Sequence, residues 1–213
     1  MKFENLLNVV GNEPVFETGF LLSGNVDPFD IRKQLSRWTA AGKIYQLRRG
    51  LYCLARPYQK SIPHPFLVAN RLVTGSYISL QSALAYYGLI PEAALTMTSV
   101  TTARSTAYHT PIGQYDFHHI PVNWFHNYCW TELGNTQGAF IAAPEKALLD
   151  LVYLQPDGDE ENYLRSLRLQ SLDQLDSEQL QQLAFKLNKP KIFRAVERIS
   201  DLINEEKTGY ESL

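Results

Sequence analysis

The segment of residues 27–54 places the strongest constraint on the fold. Asp27-Pro28 is typical of a helix start, because an Asp side chain caps free N–H groups and proline suits the first helical turn. Gly42 is typical of the position where a helix ends. Two short β-prone runs, IYQL and LYCL, follow and are joined at Arg48-Arg49-Gly50. The sequence therefore predicts a helix over 28–41 and then a tight hairpin.

Two earlier stretches extend this pattern towards the N-terminus. FENLLNVV predicts a helix over 3–10 with its apolar residues on one face, and EPVFETGFLL predicts a second short helix over 13–22, followed by the turn SGNVD. The order helix, helix, turn, helix, hairpin within about 55 residues is that of a winged helix-turn-helix. We therefore expect such a DNA-binding domain over residues 1–56.

The remainder of the chain has a different composition. RPYQKSIPHP contains three prolines and predicts a linker over 57–65. Beyond it, helical segments alternate with the β-prone runs LTMTSVTTAR, GQYDFHHIPV and GAFIA, and APEKALLDLVYL predicts a strong helix. From about residue 157 the pattern is helical. The expected fold class is α+β, with the winged helix-turn-helix domain followed by a mixed α+β domain over 66–213 that ends in a helical tail.

Charge is distributed unevenly along the chain. The formal net charge is −2, but residues 31–91 contain no Asp or Glu and nine basic residues, whereas the rest has 11 basic against 22 acidic residues. The basic residues of this segment are Arg32, Lys33, Arg37, Lys43, Arg48, Arg49, Arg56, Lys60 and Arg71. Such asymmetry indicates an anion-binding face. A solvated basic surface is the alternative.

The predicted helix over 28–41 has two different sides. Spacing residues by 100° puts Ile31, Leu35 and Trp38 on one side, which is typical of a core-facing stripe. The other side carries the candidate major-groove contacts Arg32, Lys33, Ser36 and Arg37. Arginine can pair with guanine and serine can contact either base, so this side suits a major groove. A plain solvated face of an amphipathic helix would carry the same residues.

The hairpin that follows repeats the positive charge. In a winged module the hairpin lies over the DNA backbone beside the groove that the helix occupies. Lys43, Arg48 and Arg49 are therefore candidate phosphate contacts, and Tyr45 or Tyr52 could stack on the sugar-phosphate chain. We expect three leucines to hold the hairpin against the core: Leu47, Leu51 and Leu54. The basic surface could extend further through Arg56, Lys60 and Arg71.

The run DIRKQLSRWTAAGKIYQLRRGLYCL resembles the N-terminal winged helix of the AbiEi-type antitoxins and related transcriptional regulators. YISLQSALAYYGLIP, LTMTSVTTARSTAYHTPIGQYDFHHIP and APEKALLDLVYL resemble later segments of that family, so the likeness covers roughly residues 3–155. The resemblance implies a sequence-specific regulator that represses its own operon at inverted repeats in double-stranded DNA, as a dimer or cooperative pair. It also implies that the second domain counteracts a nucleotidyltransferase-like toxin of a type IV toxin–antitoxin system.

Two other functions remain open at this point. One is a protein-interaction antitoxin with little DNA binding, and the aromatic stretch NWFHNYCW, over 123–130, suits either core packing or a protein contact. The other is a metal-dependent nuclease that uses Asp116 and Glu145, with Lys146 and Asp150 nearby. The simpler interpretation makes Lys146 and Asp150 an i, i+4 pair and places Glu145 in a helix first turn.

No catalytic residue, metal ligand or cofactor is expected. GxGxxG, P-loop, GxSxG and HExxH motifs are absent. Residues of metal-binding type lack the spacing of a zinc site: His109, His118, His119, His126 and Cys129. Two distant cysteines suit free thiols in a reducing cytosol, and the N-terminus does not have the pattern of a signal peptide. With no apolar run of 18 residues, the sequence predicts a cytoplasmic protein without a membrane span.

Overall fold

In the computed structural model, the described residues are 1–22, 27–91 and 95–211. Most of the expected SGNVD turn lies outside them. The α-helices are α1 (Phe3–Val10), α2 (Pro28–Ala40), α3 (Pro65–Leu72), α4 (Leu80–Tyr86), α5 (Pro144–Leu154), α6 (Glu161–Ser166), α7 (Ser177–Leu187) and α8 (Pro190–Glu211). None of the described helices has the length and apolar character needed to cross a membrane.

The β-strands form two sheets. They are β1 (Phe16–Glu17), β2 (Ile44–Arg48), β3 (Leu51–Leu54), β4 (Ser76–Ile78), β5 (Thr96–Thr101), β6 (Thr106–Thr110), β7 (Gly113–His119), β8 (Tyr128–Gly134) and β9 (Gln137–Ala142). The small sheet has the order β1-β3-β2 and is antiparallel. The large sheet has the order β6-β7-β5-β4-β9-β8 and is mixed, because β4–β9 and β5–β7 are parallel. The α+β fold class is therefore confirmed.

Helix α2 has the start and end that its sequence predicts. The Asp27 carboxylate accepts a hydrogen bond from the Phe29 N–H at 2.8 Å, and Pro28 occupies the first turn. The chain leaves the helix through Gly42, whose φ of 65° is costly for other residues. The predicted apolar stripe of Ile31, Leu35 and Trp38 is buried. Local sequence therefore specifies where this helix begins and ends, and its buried stripe packs it against the core.

The expected second helix over 13–22 is wrong. Phe16–Glu17 instead pairs with β3 as strand β1, and Thr18–Leu21 forms a short 3-10 helix. The Thr18 N–H donates to the carbonyl of Gly50 in the hairpin turn at 2.9 Å. Because the hairpin takes these backbone groups, they are not available for the i to i−4 bonds of an α-helix.

Strand β3 is buried on both faces and belongs to two apolar cores. Tyr52 and Leu54 pack in a small core with α1 and α2, whereas Leu51 and Cys53 pack in a large core with the rest of the chain. The division into two domains at residues 57–65 stays a prediction. Leu51 and Cys53, which precede this segment, pack in the same core as residues that follow it. The β2–β3 hairpin is therefore a structural part of both cores.

A buried polar cluster fixes helix α5 to the large sheet. The Asp150 carboxylate accepts hydrogen bonds from Lys146 Nζ, from the Tyr77 hydroxyl at 3.1 Å and from the Ser79 hydroxyl at 2.7 Å. Lys146 and Asp150 are fully buried, and Lys146 Nζ lies 4.3 Å from the centre of the Trp124 ring. Burial lowers the pKa of Lys146, and the charge of Asp150 opposes that change.

Removing one charge from this cluster should destabilise the fold strongly. Lys146→Met leaves the Asp150 carboxylate buried without its cation, so we expect the free energy of unfolding to fall by about 3–5 kcal/mol. The double variant Lys146→Met, Asp150→Leu removes both charges and should recover much of that loss. Urea unfolding followed by circular dichroism measures both values. A double variant that loses at least as much stability as Lys146→Met alone would contradict a coupled pair.

Candidate nucleic-acid interface

The outer face of α2 gathers the predicted groove contacts. The four side chains are exposed: Arg32, Lys33, Ser36 and Arg37. None of the three cations forms an ion pair with a described residue. The opposite face is fixed in the small core, so packing holds the helix with its cations in solvent. Three charges without partners within two turns can bind an anionic ligand.

The N-terminal end of the same face carries Phe29, which helical spacing also places there, and Asp30, which the sequence reasoning missed. Asp30 is exposed and precedes Lys33 by three residues and Arg37 by seven, so it shares their side of the helix. Phe29 is 69% exposed at the first turn. A carboxylate repels phosphate but can accept a hydrogen bond from cytosine N4. This end of α2 therefore suits contact with base edges better than contact with the DNA backbone.

The two arginines of the hairpin have different roles in the structure. Arg48 Nε and Nη2 donate to the main-chain carbonyl of Arg71 in α3 at 3.4 and 3.2 Å, and Nη1 donates to the carbonyl of Arg49 at 3.1 Å. The Glu17 carboxylate lies 3.9 Å from Arg48 Nη2. Arg48 is therefore half-buried between the hairpin and the large core.

Arg49, in contrast, is exposed at the hairpin turn and forms no ion pair with the described residues. Gly50 follows it with a φ of 83°, a conformation that lets the chain reverse tightly after the arginine. Arg49 is thus the hairpin cation that is free to meet a phosphate, whereas Arg48 orients the hairpin. The sequence treats the two as equivalent because the carbonyl of Arg71 is 23 residues away from Arg48.

The remaining predicted hairpin contacts are less accessible. Lys43 Nζ lies 4.8 Å from the centre of the Phe3 ring, and its side chain is half-buried. Tyr52 is only 9% exposed and stacks on Phe16 at 5.8 Å. Burial also raises the pKa of the Tyr52 hydroxyl. The expectation that Tyr52 could stack on DNA is therefore wrong, because its ring is a core side chain.

The three leucines of the hairpin are buried, but they are divided between the two cores. Leu54 lies in the small core, and Leu47 and Leu51 lie in the large one. Tyr45 is half-buried against the large core. The hairpin is thus held to the core as expected, and its buried side chains are divided between the two cores.

The proposed extension of the basic surface is exposed throughout. Arg56 opens the 3-10 segment Arg56–Tyr58 directly after β3, and Lys60 follows in the loop before α3. Arg71 lies in the last turn of α3, where its side chain lines a groove with Glu17. Its best-defined contact is the main-chain carbonyl that holds Arg48. Arg71 therefore contributes to hairpin position as well as to surface charge.

The carboxylates considered for a nuclease are not gathered into a metal site. Within the described ranges, no group of three or more His, Cys, Asp and Glu side chains could hold a metal ion. Glu145 is buried and accepts the Asp176 N–H at 2.8 Å, and Asp150 is occupied by the polar cluster of α5. Asp116 lies on β7. Glu145 and Asp150 thus have structural partners that explain their positions.

No protein-family model matches this chain, and no curated protein shows significant similarity to it. The likeness to AbiEi-type regulators therefore stays a prediction. The assignment of a function depends on the basic face of α2 and the hairpin.

The different environments of the two hairpin arginines predict different effects on stability. Arg48→Ala removes its hydrogen bonds to two carbonyls and should lower the free energy of unfolding by about 1–2 kcal/mol. Arg49→Ala changes an exposed side chain and should alter it by less than about 0.5 kcal/mol. Chemical denaturation of the two variants measures the difference. Equal effects would contradict the positioning role of Arg48.

Proposed function

We propose that the chain binds double-stranded DNA through a winged helix-turn-helix, in which α2 is the recognition helix and the β2–β3 hairpin is the wing. The observation that carries this proposal is the exposed cationic face of α2, opposite a buried apolar stripe. The order α1, β1, 3-10 helix, α2, β2, β3 and the sheet order β1-β3-β2 support it. The short 3-10 helix takes the place of the second helix of the motif.

In this proposal the contacts divide into two groups. Arg32, Lys33, Ser36 and Arg37 enter the major groove, where arginine pairs with guanine and Ser36 accepts or donates as the base requires. Arg49 and Lys43 meet phosphates beside that groove. The negative net charge of the chain does not oppose this, because electrostatic attraction at about 10 Å depends on the local face.

We further propose that binding at inverted repeats represses the operon of the protein, in the cytoplasm, and that the second half counteracts a nucleotidyltransferase-like toxin. Motif likeness supports this part, and so does the acidic remainder of the chain, since an acidic surface suits a basic partner. The second candidate is a protein-interaction antitoxin with little DNA binding. The hydrogen bonds of Arg48 to the Arg71 carbonyl favour this second candidate, because they hold one of the two hairpin cations away from DNA.

Two assays separate these candidates. A mobility-shift assay with the promoter of the chain's own operon tests DNA binding, and a pull-down with the product of the neighbouring gene tests protein binding. A promoter shift supports the DNA-binding regulator. Capture of the neighbouring protein without any shift supports the antitoxin that acts by protein contact alone.

A base-reading role for Arg37 predicts loss of both affinity and discrimination. On DNA selected from a random pool, Arg37→Ala should weaken binding by about 1–3 kcal/mol and relax the preference at the base that it contacts. Lys189→Ala, an exposed cation just before α8, is the matched control and should bind like the wild type. Fluorescence anisotropy with the selected site and single-base variants measures both effects. Unchanged preference in Arg37→Ala would remove Arg37 from the groove.

Phosphate contacts predict a strong and uniform dependence on salt. If Arg49, Lys43 and the extended surface of Arg56, Lys60 and Arg71 all touch phosphate, log K should fall with log[salt] with a slope near −4 to −5. Arg49→Ala should weaken binding to all sequences similarly and flatten the slope by about 0.9. Titrations between about 50 and 200 mM salt measure it. An Arg49→Ala variant with the wild-type slope would contradict the wing assignment.

A further inference from the structure

Two neighbouring side chains in the first turn of α2 do not contribute to the packing of the described residues. Phe29 is 69% exposed and belongs to neither apolar core. Asp30 is exposed and forms no ion pair with a described residue. Exposure alone is common for apolar side chains, so the position of these two residues decides what they can bind.

Helical spacing places Phe29 opposite the buried stripe of α2. Successive residues of an α-helix are rotated by about 100°, so Phe29 points about 160° away from Ile31 and lies one turn before Lys33. Asp30 lies on the flank of the same face, three residues before Lys33 and seven before Arg37. Both side chains are therefore at the N-terminal end of the cationic face. In helix-turn-helix complexes, this end of the recognition helix contacts base edges.

The capping of α2 does not require Asp30. The Asp27 carboxylate already accepts the Phe29 N–H at 2.8 Å, and Pro28 has no N–H to be satisfied. An acid in the first turn still interacts favourably with the helix dipole, but this effect is small at an exposed position. A carboxylate beside three cations also repels phosphate, which is a disadvantage for a helix that only follows the DNA backbone. Its position is an advantage if the carboxylate reads a base.

The two residue types match the two pyrimidines. In the major groove, thymine presents a 5-methyl group that phenylalanine can contact, and cytosine presents an amino group that donates to a carboxylate. Guanine presents only acceptors there, so an ionised carboxylate cannot form a hydrogen bond with it. Adenine presents an amino donor next to the acceptor N7, a pair that suits an amide better than a carboxylate.

We propose that the first turn of α2 reads pyrimidines. The Phe29 ring lies against the 5-methyl group of a thymine, and the Asp30 carboxylate accepts a hydrogen bond from N4 of a cytosine. This assignment rests on the proposed DNA-binding function and specifies the class of sequence that it selects. The first turn thus adds thymine and cytosine to the guanine that arginine can read on the following turns.

Removal of one methyl group from the DNA tests the Phe29 contact. A duplex is selected from a random pool with the wild-type protein, and each of its thymines is then replaced in turn by deoxyuridine, which lacks the 5-methyl group. At one position, the wild type should bind the uracil duplex about threefold to tenfold more weakly. Phe29→Ala should bind the thymine and uracil duplexes equally there, because the ring that contacts the methyl group is gone. Fluorescence anisotropy measures the four affinities.

Phe185→Ala is the matched control for this experiment. Phe185 lies on α7 and is 72% exposed, so the substitution removes the same ring from a similarly exposed position. This variant should keep the full wild-type difference between the thymine and uracil duplexes. Because both phenylalanines are exposed, neither substitution should shift the thermal unfolding midpoint by more than about 2 °C.

Exchange of the carboxylate for an amide tests Asp30. An asparagine side chain pairs with the amino group and N7 of adenine. Asp30→Asn should therefore change the preference at one position of the selected duplex from cytosine to adenine, by at least about fivefold. Glu4→Gln is the matched control, because it removes an exposed acid from the first turn of α1. It should leave the base preference unchanged at every position.

The outcomes distinguish this proposal from the proposed function. A wild-type protein that selects no DNA overturns both. If the wild type binds a selected duplex but loses no affinity at any uracil, or if Phe29→Ala keeps the wild-type loss, the pyrimidine assignment alone is overturned. An Asp30→Asn variant that gains the same affinity for all four bases also overturns it, since the carboxylate then acts only through its charge.

Discussion

The large half of the fold depends on a carboxylate that is buried with three donors. Asp150 takes hydrogen bonds from two residues around β4 and from Lys146 on its own helix, so α5 can dock on the sheet in one orientation. A buried charge that loses its partners is expensive, and misplaced packing of α5 would have that effect. The helices α7 and α8 pack against α5 in turn. The polar cluster therefore fixes the orientation of α5 on the sheet, and the apolar core packs around it.

Strand β3 connects the large core, which is built around α5, to the small core that holds the basic helix α2. Its side chains alternate between the small core, which holds α2, and the large core, which is built on the α5 frame. Arg48 reinforces the same connection by reaching from the hairpin to the end of α3. The core that holds α2 and the larger half of the chain are thus packed on opposite faces of β3. The hairpin is therefore anchored by packing and by hydrogen bonds although its tip is exposed.

Sequence reasoning succeeded where local physics decides the structure. The cap at Asp27, the apolar stripe of α2 and the helix at Pro144 depend on neighbours within a few residues. It failed at residues 13–22, because Thr18 bonds to Gly50, and at Tyr52, whose ring is buried by Phe16. The separation of Arg48 from Arg49 was also out of reach, since one distant carbonyl causes it. Strand β8 was missed because NWFHNYCW lacks a clear alternation of apolar and polar residues.

The burial of β3 on both faces has a consequence for how two copies would be spaced along a DNA double helix. In the proposed DNA complex, the recognition helix α2 is fixed to the larger half through β3, so the orientation of that half would follow the position of α2 on the duplex. Two copies bound in this way would lie on the same side of the duplex when their sites are about 10–10.5 base pairs or a multiple apart. Inserting half a turn between two sites would place the copies on opposite sides of the double helix. Spacing, as well as base sequence, would then decide which pairs of sites are occupied together.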